Sequence, residues 1–494
     1  MTSPVNPLDL VRPHYFGGSL ADVLPSALSV LGVPAGGAAD RADPLGLTGQ
    51  LAGVRRIAVL LVDGLGWYQL PTAAPHAPTL ADLAARFGRP LTCGFPSTTP
   101  TSLVSFGTGA APGAHGVLGF RVNVPGTDRV LTHINWPRSL VDGPGFPGGG
   151  PGSPVGGDRP GGSWPTAGAV DPTGTAGRFG RGGPPPSPGG PGPAGSPGGP
   201  GLAGSRGGPE LPGSSAEPEL PGSPAGDVVP RPAAGFGDDP DPRRWQPLPT
   251  QLQRAEAAGV AVTVVSRPAL ANTGLSVAAY RTGSYRGADD ADALAGEMLG
   301  ALTAGDGPTL VYGYHPEVDR HGHLSGIDSA GWRDAVAEVD ALVARLVDGL
   351  PPDAALLVTA DHGQLDIPPQ GRYDLDTDPR LRAGVRVVAG EARVRYLHTL
   401  PGATADVLAA WSEVLGEQAW VASRAEAVAA GWFGPVPEAH LSRIGDVVVA
   451  CLAPTVVLAS KTHNPIETTL VAYHGSCTAT EMTIPLLVVP PPRG

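Results

Sequence analysis

Apolar runs of strand length occur at residues 57–62, 260–265, 309–312 and 356–359. They are rich in branched aliphatics and lack polar alternation, which fits strands buried on both faces. Between them, residues 78–87, 250–258, 292–302 and 329–350 carry apolar positions at helical spacing. In the last of these, Trp332, Val336, Val339, Val343 and Leu346 form one stripe, the pattern of a helix face turned to a core. Strand and helix signals in alternation predict an α/β domain around a mostly parallel sheet. A later interval carries weaker signals, with strand-like residues at 385–388, 393–398 and 445–450 and a helix near 404–415.

Composition changes this picture in one place. The chain has 73 glycines and 58 prolines among 494 residues, where average usage is roughly 7% and 5%. The excess lies between Asp142 and Asp241, in repeats such as Gly-Gly-Pro-Gly and Pro-Gly-Ser-Pro with no amphipathic period. Such a segment cannot bury enough apolar surface to offset its ordering entropy, so it is expected to be disordered. Its glycines do not fall at every third residue, which argues against a collagen-like triple helix. The expected organisation is residues 1–141 as the first part of a large α/β domain, 142–241 as a disordered Gly/Pro-rich insertion, and 242–494 as the remainder.

The formal net charge is −12 and no Lys/Arg cluster offers a phosphate-tracking surface, which argues against a nucleic-acid polymer as partner. The first residues lack a basic segment followed by an apolar run, and no stretch of about 20 apolar residues occurs, so no membrane partner is expected and a cytoplasmic location is. Cys93, Cys451 and Cys477 are too few and too scattered for a disulfide framework or a thiolate zinc site, and read as buried, inert thiols.

Oxygen and imidazole side chains collect at the ends of the apolar runs. Asp63 ends the first; Asp319 and His323 follow the third, in Val318-Asp-Arg-His-Gly-His; Asp361 and His362 end the fourth, in Thr359-Ala-Asp-His-Gly; a late His474-Gly-Ser follows. Open α/β sheets place their sites at the carboxyl ends of strands. A lone Asp after a strand is usually a turn or capping residue, but these motifs accumulate in order. Thr99 precedes Pro100 and an apolar stretch that Gly107 and Gly109 can close, so it reads as the N-cap of a short helix whose N–H groups could face a phosphoryl oxygen.

With Leu61-Val-Asp-Gly, Phe95-Pro-Ser-Thr-Thr-Pro-Thr-Ser-Leu, Gly107-Thr-Gly, His115-Gly, Asp319-Arg-His-Gly-His, Thr359-Ala-Asp-His-Gly and His474-Gly-Ser, the chain resembles the alkaline phosphatase superfamily, in its nucleotide pyrophosphatase/phosphodiesterase branch. The resemblance implies a three-layer α/β/α fold around a mostly parallel sheet, with a cap-like insertion at about 367–470 besides the Gly/Pro-rich one. It implies two divalent metal ions, with Asp319, His323 and His474 holding one and Asp63, Thr99, Asp361 and His362 the other. A ligand set without cysteine suits zinc, the metal of that branch, and leaves manganese or iron open. Thr99 is the implied nucleophile, at the family spacing from Gly107-Thr-Gly, with Ser97, Thr98 and Thr101 as competing hydroxyls. Two metals about 3.5–4 Å apart stabilise the attacking and leaving oxygens of an in-line displacement. The expected course is therefore attack on phosphorus, a covalent phosphothreonine and its hydrolysis.

The expected substrate is a small-molecule phosphate ester, cleaved at a phosphodiester or pyrophosphate bond. Phe120 stands where the family usually has an asparagine that bonds a phosphate oxygen, which favours a diester with an aromatic or apolar substituent resting on Phe120. Arg121 or Asn123 could replace the lost donor, but both read as strand or surface residues. Phosphomonoester, phosphonate or phosphotransfer chemistry on the same site is the alternative, and a non-catalytic scaffold a remote one. Of the other histidines, His115 reads as packing support and His321 as a possible substrate contact. Arg393 and Arg395 read as exposed strand arginines rather than phosphate binders.

Overall fold

The computed structural model describes residues 6–36, 42–136 and 239–492. The expected insertion at 142–241 therefore lies, up to residue 238, outside the described residues.

A seven-stranded sheet carries the strands in the order Gly88–Thr92, Thr483–Val489, Ala354–Thr359, Arg56–Val62, Thr309–His315, Ala261–Ser266 and Tyr285–Gly287. The last five run parallel, and the first two pair antiparallel at one side. The register brings Val62 opposite His315 and Leu61 opposite Thr359, so three strands end level with one another. The chain leaving each of them enters the same space, and that alignment assembles the site.

Helices enclose the sheet as the outer layers of an α/β/α sandwich. Pro78–Phe87, Ala291–Leu302 and Ala330–Asp348 pack as one group; Val23–Val30, Thr99–Thr108 and Gln251–Ala257 form another. The expected stripe on Ala330–Asp348 is buried at all five positions, and Ser329 caps this helix by accepting from Trp332 N. Thr250 and Asp290 cap the helices after them in the same way. Burial of these faces, at about 25 cal/mol per Å² of apolar area, dominates the stability of the domain.

A second, antiparallel sheet carries Val385–Glu391, Val394–Thr399, Val447–Cys451 and Ala419–Ser423 in that order. The Thr404–Leu415 helix covers it, and Val407, Trp411, Leu397 and Val449 share a separate core. Arg393 and Arg395 differ from expectation: both are buried, Arg393 donating to the carbonyls of Ala453 and Thr455, and Arg395 donating Nε to Val457 O with its Nη2 3.9 Å from the Glu467 carboxylate. Among the described residues, no helix is long and apolar enough to cross a membrane. All three cysteines are buried free thiols, and burial pushes Cys451 up to about 11 and Cys477 to about 12.

Candidate active site

The level strand ends dictate the first contacts. Asp63 N donates to His315 O (2.9 Å) and Asp319 N donates to Asp63 O (3.0 Å), joining two strand exits. Asp361 Oδ1 accepts from Gly64 N (3.1 Å) and from His362 N (3.0 Å), joining the third. Gly64 has φ +76°, and a Cβ there would lie 2.7 Å from Asp319 Cα. Only glycine permits this approach of the two aspartate-bearing turns.

Two ligand groups result. In one, His323 Nδ1 faces Ala472 O at 2.8 Å and His474 Nδ1 faces Ser97 O at 2.9 Å, so both rings carry their proton on Nδ1. Their Nε2 lone pairs then meet 3.1 Å apart, with the Asp319 carboxylate 3.5 Å from one and 3.7 Å from the other. Lone pairs and a carboxylate in such proximity repel unless a cation lies among them, and the donor set is one that divalent metals take. In the other group, His362 Nε2 lies 3.4 Å from Asp63 Oδ1, 3.3 Å from Asp361 Oδ2 and 3.1 Å from Thr99 Oγ1. Asp63 Oδ1 and Asp361 Oδ2 are buried without a hydrogen-bond partner, which fits a group that a cation completes. Asp319 reaches both: its ligand atoms lie within 4.8 Å of His323 and His474, and within 4.8 Å of Asp63 and His362.

Electrostatics agree with that donor set. Burial pushes the Asp63 carboxyl well above its usual range, and neighbouring Asp361 and Asp319 push it further. Asp361 is pushed up to about 6, chiefly by burial. Burial raises Asp319 too, against the pull of His323 and His362. Burial lowers His362 to about 4 and His474 well below its usual value. Neutral imidazoles beside carboxylates that resist sharing their charge are what a bound cation requires and would relieve.

Thr99 opens the Thr99–Thr108 helix as its first residue, with Pro100 second; Thr98, extended at φ −137°, is the N-cap. The cap thus lies one residue earlier than expected, because Ser102 N closes the first turn on Thr98 O (3.0 Å). The competing hydroxyls are engaged elsewhere or enclosed. Ser97 Oγ donates to Ser476 O (2.6 Å), and Thr98 and Thr101 are fully buried. Thr99 also borders a cavity of about 70 Å³ whose walls include Leu103, Leu275, Tyr280, Tyr285, Tyr312 and Tyr314.

Phe120 is not among the residues lining that cavity. Its N donates to Glu391 Oε2 (3.2 Å), and the Arg121 guanidinium lies 4.9 Å from its ring. Arg121 is paired with Glu467, and the Asn123 amide donates to the carbonyls of Thr127 and Arg129. His115 packs internally against Ser105 Oγ (2.9 Å), and His321 faces Glu317 (3.7 Å).

Several site residues escaped the sequence reading. Tyr314 donates its hydroxyl to Asp63 Oδ2, and Gln364 donates to Asp319 Oδ1. Tyr314 sits next to the end of its strand and Gln364 two residues past His362, so proximity in sequence to the ligands was the available signal. Glu391 is buried beside Phe120 and Gly475, and burial pushes its carboxyl up to about 8; nothing local in the sequence marks it.

The profile of the type I phosphodiesterase/nucleotide pyrophosphatase family matches residues 57–152 and 234–477. No curated protein sequence gives a significant match. Among solved structures, murine ectonucleotide pyrophosphatase/phosphodiesterase 5 superposes with a TM-score of 0.56 at 15% identity, covering 88% of this chain and 88% of that one. An inactive threonine-to-alanine form of the same murine protein, in complex with AMP, gives 0.55 at 15% identity and the same coverage. Phosphonoacetate hydrolase from Sinorhizobium meliloti 1021, in complex with phosphonoformate, gives 0.51 at 16% identity, covering 88% of this chain and 90% of that one.

Proposed function

The chain belongs to the type I phosphodiesterase/nucleotide pyrophosphatase family and is a phosphoric ester hydrolase, and from that premise we propose that it cleaves a phosphodiester or pyrophosphate bond of a small molecule through Thr99. The observation that carries the proposal is Thr99 Oγ1 at 3.1 Å from His362 Nε2, inside a buried carboxylate–imidazole group and at the edge of an apolar cavity.

In this reading Asp319, His323 and His474 hold one divalent ion, and Asp63, Thr99, Asp361 and His362 hold the second; zinc suits both. When bound, the pair supplies a lowered pKa for the Thr99 hydroxyl and positive charge for the oxygens on phosphorus. The chain does the rest. The first turn of the Thr99–Thr108 helix turns backbone N–H groups toward the phosphoryl oxygens. Thr99 Oγ gives up its proton to solvent and forms a bond to phosphorus as the bond to the leaving oxygen breaks, the leaving group departing as an anion that takes a proton from water. Water then attacks the phosphothreonine from the opposite side, forming the new P–O bond and returning Thr99 as its hydroxyl. Tyr314 and Gln364 hold Asp63 and Asp319 in place throughout.

The cavity supports a diester. Among the described residues its lining carries aromatic, aliphatic and hydroxyl side chains and no lysine or arginine. An aromatic or apolar substituent on phosphorus gains burial against such walls, a gain that the unsubstituted oxygen of a monoester cannot make. In this reading the substituent rests among the tyrosines, and Phe120, which does not line the cavity, is proposed as a secondary contact. The test compares kcat/KM for an aryl phosphodiester and the matching aryl monoester on metal-loaded protein. The proposal expects the diester to be preferred; preference for the monoester would refute the diester reading.

A further inference from the structure

Outside the ligand groups, the most completely satisfied buried ion pair among the described residues joins the second sheet to the site. Arg393 and Glu481 are each 0% exposed in their side chains. Arg393 donates Nε to Glu481 Oε1 (2.9 Å) and Nη2 to Oε2 (2.6 Å), a bidentate pairing. Its remaining N–H groups hold the carbonyls of Ala453 (2.6 Å), Thr455 (2.6 Å) and Cys451 (3.2 Å), which fixes the guanidinium to the second sheet and the turn after it.

Glu481 passes this fixation on. Its Oε1 also accepts from Ser476 N (2.9 Å) and its Oε2 from Thr478 Oγ1 (2.6 Å). Ser476 O accepts from Ser97 Oγ (2.6 Å), Ser97 N donates to Gly475 O (3.0 Å), and Ser97 O takes the Nδ1 proton of His474 (2.9 Å). The chain of contacts therefore ends on the bond that sets the His474 tautomer, and on the residue two before Thr99. A buried charge pair costs several kcal/mol in desolvation for each ion and is weak evidence of a stabilising role, so its retention here calls for another function.

We infer that Arg393 and Glu481 are a positioning pair for His474, through which the second sheet sets the affinity of the Asp319/His323/His474 metal position; the inference rests on the two-metal reading above. Partners that orient a metal-bound histidine typically govern about 10–100-fold in metal affinity. The side-chain hydrogen bonds of the pair lead to His474, whereas the hydrogen bond of Glu481 toward His362 is made by its backbone carbonyl, which accepts from Gly363 N (2.9 Å), and its carboxylate reaches His362 only as a charge at longer range.

The experiment is competitive zinc titration of full-length protein against a chromophoric chelator, on wild type, Glu481→Gln and the double variant Arg393→Met/Glu481→Leu. The double variant leaves no unpaired buried charge, and replacements of that kind are often neutral for stability, so it provides folded protein should Glu481→Gln fail to fold. Wild type is expected to bind two equivalents; if it does not, the two-metal reading fails and the inference that rests on it falls with it. In folded variants, one equivalent should weaken about 10–100-fold while the other keeps its affinity. Both equivalents at wild-type affinity, or both weakened alike in step with a lowered Tm, would overturn the inference.

Discussion

Tyr314→Phe isolates one hydrogen bond at the heart of the site. The ring stays, so the substitution opens no cavity; only the hydroxyl that donates to Asp63 Oδ2 is lost. The other carboxylate oxygen of Asp63 is already buried without a hydrogen-bond partner, so the variant leaves this carboxylate dependent on a cation and on His362. A hydrogen bond to a charged group contributes about 1.5–3 kcal/mol, and about 1.4 kcal/mol corresponds to a factor of ten. Zinc affinity at the Asp63/Asp361/His362 position should therefore fall by about 10–100-fold. Chelator competition measures it directly, and kcat/KM at saturating zinc should recover to within about tenfold of wild type, since Tyr314 acts through Asp63 and not on phosphorus. Unchanged zinc affinity in folded Tyr314→Phe would refute the reasoning that this hydroxyl orients a ligand.

Three further outcomes follow from the geometry. Gly64→Ala forces a left-handed residue and a Cβ at 2.7 Å from Asp319 Cα, so denaturant unfolding should show a loss of about 1–3 kcal/mol; an unchanged midpoint would contradict the close approach. Tyr285→Ala should raise KM for an aryl diester by about two- to tenfold, given about 0.5–1.5 kcal/mol for an aromatic pair, and Phe120→Ala by less; the reverse order would move the substituent from the cavity to Phe120. Deleting residues 145–238 should leave active enzyme with Tm changed by only a few degrees, because Trp136 Nε1 bonds Pro240 O at 2.9 Å and Arg129 pairs with Asp239 at 2.8 Å, while loop length costs only about 0.6 kcal/mol per doubling; insoluble or inactive deletion protein would contradict it.

Strand runs such as 57–62 and 309–312 were legible because a parallel strand buried on both faces leaves an uninterrupted apolar record. The Thr483–Val489 strand was not, since Pro485 interrupts its pattern; it survives where Pro485 lies opposite Pro90, so two residues without N–H share one rung. The seven proposed site residues could be named in advance because strand ends and short motifs carry them, and the structure gathers all seven at one end of the sheet. What surrounds them was not legible. Arg393 reads as a surface residue by its type, and only tertiary structure reveals that Glu481, 88 positions away, neutralises it in the core. The tyrosine-lined cavity draws on four separate stretches of chain, from Thr99 to Tyr314, and no local pattern announces such a meeting.

In the proposed function Thr99 forms a covalent bond to phosphorus. Zinc-loaded wild type mixed with an aryl phosphodiester, quenched in acid within the first turnover and digested, should yield a peptide whose Thr99 carries the phosphoryl group together with the substituent that the diester retains. Thr99→Ala should keep most of its metal, lose the adduct and fall by several orders of magnitude in turnover, as removal of a nucleophile does. A Thr99→Ala enzyme with near wild-type turnover, or an adduct on Ser97, Thr98 or Thr101 in its place, would contradict the account.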